Sequence, residues 1–387
     1  MSASALFEER AAGAHRIGIA TLNAPATLNG LSLEMVDALS ARLDAWAADA
    51  GIALVLLRGA GEKAFCAGGD LHALYAGMRE AGVGGGARVD PLAISAARGF
   101  FEREYRLDYR IHAYPKPILC WGQGIVMGGG IGLMAGASHR VVTETSRLAM
   151  PEIGIGLFPD VGGTWMLARA PGATGRFLAL TGASIDAADA IHAGFADHAV
   201  AGARYEELLD ALAAAQWHAD AGVNAARLDA LLRDFALEGL ASGPLQRLRA
   251  QIDASCAGHS LDAAVAAIAE TACDDPWWQR AQAALERGCP SSIRLSWEIQ
   301  RRASRLSLAE IFRLELIAAL ACAAHGDFFE GIRALLIDKD KAPRWNPATL
   351  ADTAGDFIET FFTAPWPVGG HPLADLGEDD PQREALR

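Results

Sequence analysis

The sequence predicts an α/β layered fold followed by a helical region. In the first half of the chain, short runs rich in β-branched residues alternate with helical stretches, and glycine-rich turns follow several of these runs. From residue 205 to 325, Ala, Leu, Arg and Asp recur at helical spacing and few side chains suit catalysis. Because 51% of the 387 residues are hydrophobic, the chain has enough apolar side chains for a sizeable core.

The individual elements of the first half follow from the spacing of apolar residues. In residues 31–48, apolar side chains lie three and four positions apart, which predicts an amphipathic helix with one buried face. Ser32 is placed to cap this helix. Four short apolar runs are predicted as strands: residues 16–22, 52–57, 118–121 and 140–143.

Two segments are predicted to lie outside regular structure. Residues 77–91 include three consecutive glycines and are predicted as a mobile loop. Residues 365–387 are rich in Pro, Gly and acids and are predicted as a loosely held tail. We therefore divide the chain into three parts: a core with the candidate site (1–200), a helical region that covers it (201–350) and a C-terminal segment with an acidic tail (351–387).

Charge and cysteine content restrict the partners and the compartment. A net charge of −13 argues against general binding to nucleic acid or to an anionic membrane. No stretch reaches transmembrane length without a charge or a turn, and the N-terminal residues lack the features of a targeting segment. The six cysteines show no CxxC pair. We expect a cytoplasmic protein without nucleic-acid, membrane or metal partners.

The first candidate site segment is FCAGGD, residues 65–70, which follows a predicted strand. Gly68 and Gly69 allow close approach of a ligand to the backbone. If Gly69 opens a helix, its N–H is unpaired and can donate to an anion. A simple tight turn explains the two glycines equally well, so this segment alone does not decide the matter.

The second candidate is the glycine run 128–132, between a predicted strand and a helix. A dinucleotide-binding motif would need glycine at the position of Leu133, and the chain has no GxxxxGK sequence. What remains is a backbone N–H donor at Gly129. Two such donors, Gly69 and Gly129, are what a thioester carbonyl needs when it becomes an oxyanion or enolate.

The third candidate is MPEIGIGLFPDVGG, residues 150–163, which contains Glu152 and Asp160. Apolar surroundings raise a carboxyl pKa towards the range useful for acid–base chemistry. The alternative is that Glu152 closes a turn and Asp160 caps the following helix, and for Asp160 alone the cap is the preferred explanation. By residue type alone, Glu104 in FFEREYRLDYR belongs to a solvated helix face.

Five segments together resemble the crotonase, or enoyl-CoA hydratase/isomerase, superfamily, and more closely its 3-hydroxyisobutyryl-CoA hydrolase branch. They are, in order, NAPATLNGLS, KAFCAGGDL, YPKPILCWGQGIVMGGGIGL, AMPEIGIGLFPDVGGTW and GDFFEGIRALLIDKDKAPRW. The last block and PDVGG are the most specific, because ordinary hydratases lack both. The resemblance runs from about residue 16 to residue 349, and it implies a crotonase-like spiral of ββα units followed by a helical C-terminal region.

The resemblance also implies roles for single residues in binding a CoA thioester. The N–H groups that polarise the thioester carbonyl fall on Gly69 and Gly129. Other backbone positions of these two turns, together with one acid, are implied to bind substrate: Ala67, Gly68, Gly128 and Glu104. No cofactor is implied beyond the coenzyme A of the substrate, and the acyl-CoA is the implied partner, with a homo-oligomer left open.

The acids indicate which reaction the resemblance implies. Hydratases use two glutamates, of which one corresponds to Glu152 and the other to Gly132, which has no side chain. The hydrolase branch keeps one glutamate and adds acids at Asp160 and Glu104. The implied function is hydrolysis of a short-chain 3-hydroxyacyl-CoA thioester, namely 3-hydroxyisobutyryl-CoA in valine catabolism. Glu152 is left open as nucleophile or general base.

Two alternatives and one departure from the family pattern remain. The chain could be an enoyl-CoA hydratase/isomerase, or an acyl-CoA-binding protein that has kept the fold without the chemistry. The hydrolase branch typically carries a Tyr-Arg pair after the glutamate of the helix that here reads LELI at residues 314–317. A different helical cover would change which acyl chain fits.

Overall fold

The computed structural model describes residues 3–85 and 89–378. Its first compact unit contains the chain up to Gly69, Leu107–Leu148 and Ser184–Gln246. The second contains Asp70–Arg106, Ala149–Ala183 and the described chain from Arg247 onward. The units alternate along the chain, whereas the sequence suggested consecutive parts; the functional division at 200 and 350 stays a prediction.

Strands in the described residues form two sheets. They are β1 Ala5–Ala12, β2 His15–Leu22, β3 Ile52–Gly59, β4 Ala64–Cys66, β5 Ile118–Gly122, β6 Ile125–Met127, β7 His139–Val142, β8 Arg147–Ala149 and β9 His198–Ala199. The six-stranded sheet has the order β1-β2-β3-β5-β7-β9, and β4-β6-β8 form the three-stranded sheet. Only the β1–β2 pair of the larger sheet is antiparallel. Successive strands of the chain thus enter the two sheets alternately from β3 to β8.

Helices follow the strand pairs and dominate the later part of the chain. In the described residues they are α1 Leu33–Ala48, α2 Leu71–Glu80, α3 Ser95–His112, α4 Gly129–Ala135, α5 Gly163–Ala168, α6 Thr174–Thr181, α7 Ala187–His192, α8 Tyr205–Ala214, α9 Ala221–Asp234, α10 Pro244–Arg247, α11 Arg249–Cys256, α12 Leu261–Glu270, α13 Pro276–Arg287, α14 Pro290–Ala303, α15 Leu308–His325, α16 Asp327–Ile332 and α17 Asp356–Glu359. The predicted α/β class and helical C-terminal region are confirmed. No helix in the described residues is both long and apolar enough to cross a membrane.

The first unit has a continuous apolar core between its sheet and helices. Strand β2 contributes Ile17 and Ile19, and β5 contributes the fully buried Trp121. At Gly18, a β-carbon would lie only 2.7 Å from the ring of Trp46, so this glycine makes room for the buried indole of α1. Helix α1 begins where the sequence predicts, because the Met35 N–H donates to Ser32 Oγ at 3.2 Å.

Two sequence predictions about irregular segments are wrong in part. Helix α2 extends to Glu80, and a β-carbon at Gly84 would lie 2.8 Å from the Phe329 ring, so the segment packs closely. Towards the C-terminus, Leu373 is fully buried, and Arg106 pairs with Asp375 at 2.8 Å. Of these two predictions, the parts at residues 86–88 and 379–387 lie outside the described residues.

Candidate active site

The two glycine-rich turns meet in the first unit. Strands β4 and β6 are parallel neighbours, so the turns that follow them leave the same edge of the sheet. Gly68 has a φ of +104°, and a β-carbon there would lie 3.4 Å from the Met127 carbonyl oxygen and 3.9 Å from the Gly129 nitrogen. A side chain at Gly68 would be strained by this φ, and the two turns lie within van der Waals reach of each other at this point.

Backbone hydrogen bonds fix the first of these turns. The Ala67 N–H donates to the Leu28 carbonyl at 3.0 Å, and the Leu31 N–H donates to the Gly68 carbonyl at 2.8 Å. The buried amide of Asn29 donates to the carbonyls of Ala60 and Ala64, at 3.0 and 2.9 Å. The segment NAPATLNGLS therefore fixes the position of the turn that contains Gly69 through these hydrogen bonds.

The second turn opens helix α4. Gly128 is its N-cap with a φ of 49°, and Gly129 is its first residue, so the Gly129 N–H has no partner within the helix. A β-carbon at Gly130 would lie 2.4 Å from the Cys66 carbonyl oxygen, which shows how closely α4 approaches the end of β4. Gly132, where a hydratase of similar sequence has glutamate, is buried within α4.

Four buried acids form a cluster in the second unit, which we call the acid cluster. Glu104 lies on α3, Glu152 starts a 3-10 turn, Asp160 precedes α5 and Glu315 lies on α15. Each is at most 4% exposed. The structure thus brings together Glu104, Glu152 and Asp160 in this unit, and Ala67, Gly68, Gly69, Gly128 and Gly129 in the first.

Asp160 is held by a tyrosine and does not cap a helix. The Tyr105 hydroxyl donates to Asp160 Oδ2 at 2.6 Å. The Tyr105 ring packs between Phe101 and Phe312, with centroid distances of 5.8 Å to each. The N-cap of α5 is Gly162, without a side-chain cap. The helix-cap explanation of Asp160 is therefore wrong.

Glu152 differs from Asp160 in having an unpaired oxygen. Its Oε2 is buried and accepts no hydrogen bond from the described residues. Its backbone is fixed, because the N–H groups of Ile155 and Leu157 donate to its carbonyl at 3.0 and 3.1 Å. Burial raises the pKa of Glu152 well above 4.5, and the charge of Asp160 raises it further. A held backbone with an unsatisfied carboxyl oxygen suits a reacting group better than a structural one.

Glu104 is buried, so its assignment to a solvated helix face is wrong. Burial raises the pKa of its carboxyl well above the usual value, and repulsion from Asp160 adds to this effect. Among the described residues, no cationic side chain offsets these shifts at Glu104, Glu152 or Asp160. The many charges in FFEREYRLDYR indicated an exposed helix face, but charge density does not show which face of a helix is covered by other elements.

In Asp160 and Glu315, burial and hydrogen bonding act on the pKa in opposite directions. Burial raises the pKa of Asp160 to about 6, although the Tyr105 hydroxyl opposes the shift. Burial raises the pKa of Glu315 to about 8, while N–H donors from Gly162 and Thr164 oppose it and Asp160 adds to it. The charge of Asp160 raises the pKa values of Glu104, Glu152 and Glu315, so ionisation of Asp160 disfavours ionisation of the other three carboxyls.

Sequence reasoning missed two members of this site, Tyr105 and Glu315. Tyr105 stands beside Glu104 in a charged segment, and its partner is 55 residues away. Glu315 is an isolated acid between Leu314 and Leu316 in the apolar run LELIAALA. An acid alone in an apolar helix was the available signal, because such a group is buried only when it has partners.

Comparison with known proteins defines the class to which this fold and site belong. The family model described as enoyl-CoA hydratase/isomerase matches residues 17–362. The chain belongs to this family. Among solved structures, it resembles an enoyl-CoA hydratase from Rhodobacter sphaeroides 2.4.1 with 36% identity and a TM-score of 0.79, covering 93% of this chain and 97% of the other.

A second structural relative is equally complete. A carnitinyl-CoA dehydratase from Mycobacterium thermoresistibile has 38% identity and a TM-score of 0.81, covering 96% of this chain and 98% of the other. Both likenesses extend over nearly the whole chain, including its helical C-terminal part. They confirm the crotonase-like fold predicted from the sequence.

Within the family, the chain lies on the branch of the 3-hydroxyisobutyryl-CoA hydrolases. The mitochondrial 3-hydroxyisobutyryl-CoA hydrolase of Gallus gallus is 35% identical over 356 residues, which is 92% of this chain and 88% of that protein. The corresponding protein of Danio rerio is 37% identical over 350 residues, 90% of this chain and 87% of that protein. The named relatives thus include both hydrolases and hydratases.

Proposed function

We propose that the protein hydrolyses 3-hydroxyisobutyryl-CoA to 3-hydroxyisobutyrate and CoA. The observation that carries the proposal is Glu152, a buried glutamate with an unpaired oxygen, beside Asp160 and without a second glutamate at position 132. The hydrolase names of the relatives support the same reaction.

Hydration of an enoyl-CoA is the alternative suggested by the names of the structural relatives. That reaction uses two glutamates to place and protonate water, and Gly132 cannot supply the second. Loss of one of two cooperating acid–base groups typically costs about 10²–10⁴ in rate. The chain instead has Asp160, whose charge acts on both Glu152 and Glu104, and these acids favour hydrolysis.

The proposed mechanism assigns the thioester carbonyl to the N–H groups of Gly69 and Gly129, which stabilise the tetrahedral oxyanion. That these groups and the acid cluster act on one thioester is taken from the family resemblance. Glu152 either attacks the carbonyl carbon, giving an anhydride that water hydrolyses, or removes a proton from the attacking water. In both routes the C–S bond breaks and CoA departs as the thiolate.

Asp160 and Glu104 are proposed to recognise the 3-hydroxyl group of the substrate. Asp160 orients this hydroxyl or the water, and Glu104 supports the hydroxyl. Ala67, Gly68 and Gly128 are proposed to bind the substrate through their backbone. A buried carboxyl that binds the substrate's hydroxyl discriminates strongly against an acyl group without a hydroxyl, because the carboxyl is then left without a partner.

Hydrolysis by this route needs no cofactor besides the CoA of the substrate. A cytoplasmic location is proposed on the six cysteines, none of which forms a disulfide bond within the described residues. The relatives named above are mitochondrial proteins, so the location is proposed independently of them.

Two substrates test the function. With 3-hydroxyisobutyryl-CoA we expect release of free thiol, and with crotonyl-CoA we expect no loss of the enoyl absorbance. Loss of enoyl absorbance without thiol release would establish a hydratase instead. Binding of both CoA esters without either signal would establish a non-catalytic acyl-CoA-binding protein.

A further inference from the structure

Glu315 makes contacts that its position in the sequence does not suggest. It is fully buried on α15. Its Oε2 accepts from the Gly162 N–H at 2.8 Å, and its Oε1 accepts from the Thr164 N–H at 3.2 Å. Both donors lie directly after Asp160, in a segment 151 to 153 residues earlier in the chain.

The turn that contains these donors needs a hydrogen-bond acceptor from another part of the chain. Val161 has a φ of +54° and Gly162 one of +78°, so two successive residues adopt the left-handed region. Only glycine does so at little cost, and a β-branched valine there is strained. The following helix α5 has no side-chain cap of its own. Without Glu315, the N–H groups of Gly162 and Thr164 would lose the acceptors that they have in this structure.

We propose that Glu315 is a positioning residue for the hydrolysis: by accepting from the Gly162 and Thr164 N–H groups, it holds the turn that places the Asp160 carboxyl. The inference rests on the proposed function, because its consequence is recognition of the substrate's 3-hydroxyl. Within this turn the Gly163 N–H donates to the Asp160 carbonyl at 2.6 Å, so the acid and the capped helix move together. Glu315 thus determines the direction in which Asp160 meets the Tyr105 hydroxyl.

Glutamate fits this position better than glutamine. Each oxygen of Glu315 accepts from one N–H, whereas glutamine would turn its NH₂ group towards one of the two donors. Asp160 and Tyr105 both interact electrostatically with Glu315, and neither is a cation that would pair with its charge. The chain therefore retains a costly buried acid where only an acceptor of two N–H bonds is useful.

The test compares E315Q with the parent on two esters, 3-hydroxyisobutyryl-CoA and isobutyryl-CoA, which lacks the hydroxyl. We expect E315Q to lower kcat/KM for the hydroxylated ester by about 10-fold or more, and for the plain ester by less than about 3-fold. The matched control is E310Q, an exposed glutamate of the same helix. Its N3 position in a capping box accepts glutamine, so both activities should stay at the parent value.

A double-mutant cycle separates positioning from general damage. If Glu315 acts through Asp160, D160N/E315Q should be no slower on the hydroxylated ester than D160N alone. Equal losses on both esters, or losses that multiply in the double variant, would overturn the inference. If E315Q does not fold, E315D supplies the same comparison, since it keeps the carboxylate but shortens its reach. A parent protein that releases no thiol would overturn the proposed function, and this inference with it.

Discussion

The buried acids of the second unit differ in what their oxygen atoms contact. Asp160 accepts from a tyrosine hydroxyl, and Glu315 accepts from two backbone N–H groups. One oxygen of Glu152 has no partner among the described residues. Because satisfied carboxyls lose these bonds when they react, Glu152 is the acid best prepared to act on a substrate.

Replacement of Asp160 by asparagine tests its role in hydroxyl recognition. The asparagine carbonyl can still accept from Tyr105, so the fold should be retained. We expect D160N to lower kcat/KM about 10–100-fold on 3-hydroxyisobutyryl-CoA and less than about 3-fold on isobutyryl-CoA. Thiol release measures both reactions. Equal losses on the two esters would remove Asp160 from hydroxyl recognition.

Replacement of Tyr105 by phenylalanine tests the hydrogen bond that favours ionised Asp160. The Tyr105 hydroxyl lowers the pKa of Asp160, so its removal should raise that pKa above about 6. The acid limb of the pH profile of kcat/KM should then move to higher pH, with a larger loss of activity at pH 6 than at pH 8. Y75F is the control, since Tyr75 contributes a ring stacked on Phe329. An acid limb unchanged from the parent would contradict this role.

At the scale of elements, sequence predicted those strands and helices whose burial pattern is simple. Strands β2, β3, β5 and β7 and helix α1 are apolar runs of sufficient length, and the structure confirms them with ends shifted by one or two residues. Strand β1 was missed because it is a charged edge strand, and β4, β6 and β8 because each has three residues. A strand of three residues is too short to show the alternation of apolar and polar side chains that identifies a strand.

The candidate site was predictable to the extent that its residues stand together in the chain. The glycine turns follow strands, and Glu152 and Asp160 stand in one apolar segment, so residue type and position identified these segments as candidates. The roles of the single residues came from the family resemblance. Tyr105 and Glu315 owe their importance to partners 55 and 153 residues away. Their orientation depends on which helix faces are covered, and a single sequence does not contain that information directly.

Gly130 provides a test of the helix start at Gly129. A β-carbon there would lie 2.4 Å from the Cys66 carbonyl oxygen, so G130A must displace the first turn of α4. We expect G130A to lose about 1–3 kcal/mol of stability and about 10²-fold or more in kcat, because the Gly129 N–H moves from its place. G258A is the matched control, since nothing lies within 4 Å of a β-carbon at that position. Parental kcat in G130A would contradict the role of this turn.

At the scale of the whole molecule, the acid cluster links stability to pH. Raised carboxyl pKa values mean that the folded state binds more protons than the unfolded state between the two values. Stability is therefore fully present at low pH and falls as pH rises from the unfolded pKa towards the folded one. For Asp160 this range runs from 3.8 to about 6.

Removal of one acid from the cluster should reduce the loss of folding stability that occurs as pH rises. We expect D160N to be more stable than the parent by about 1–3 kcal/mol at pH 8, with a smaller difference at pH 4. Thermal unfolding midpoints at the two pH values measure the effect. A D160N variant that is less stable than the parent at pH 8 would show that Asp160 contributes to the fold. A more stable, less active variant would show that the protein keeps this acid for function.

Thiol release from 3-hydroxyisobutyryl-CoA by the parent and by E152Q tests the central claim most directly. Glutamine keeps the size of Glu152 but can neither attack the thioester nor accept a proton from water. We expect rapid thiol release by the parent, a fall of about 10³-fold or more in E152Q, and unchanged binding of the CoA ester by the variant. Thiol release by E152Q at the parental rate would contradict this claim.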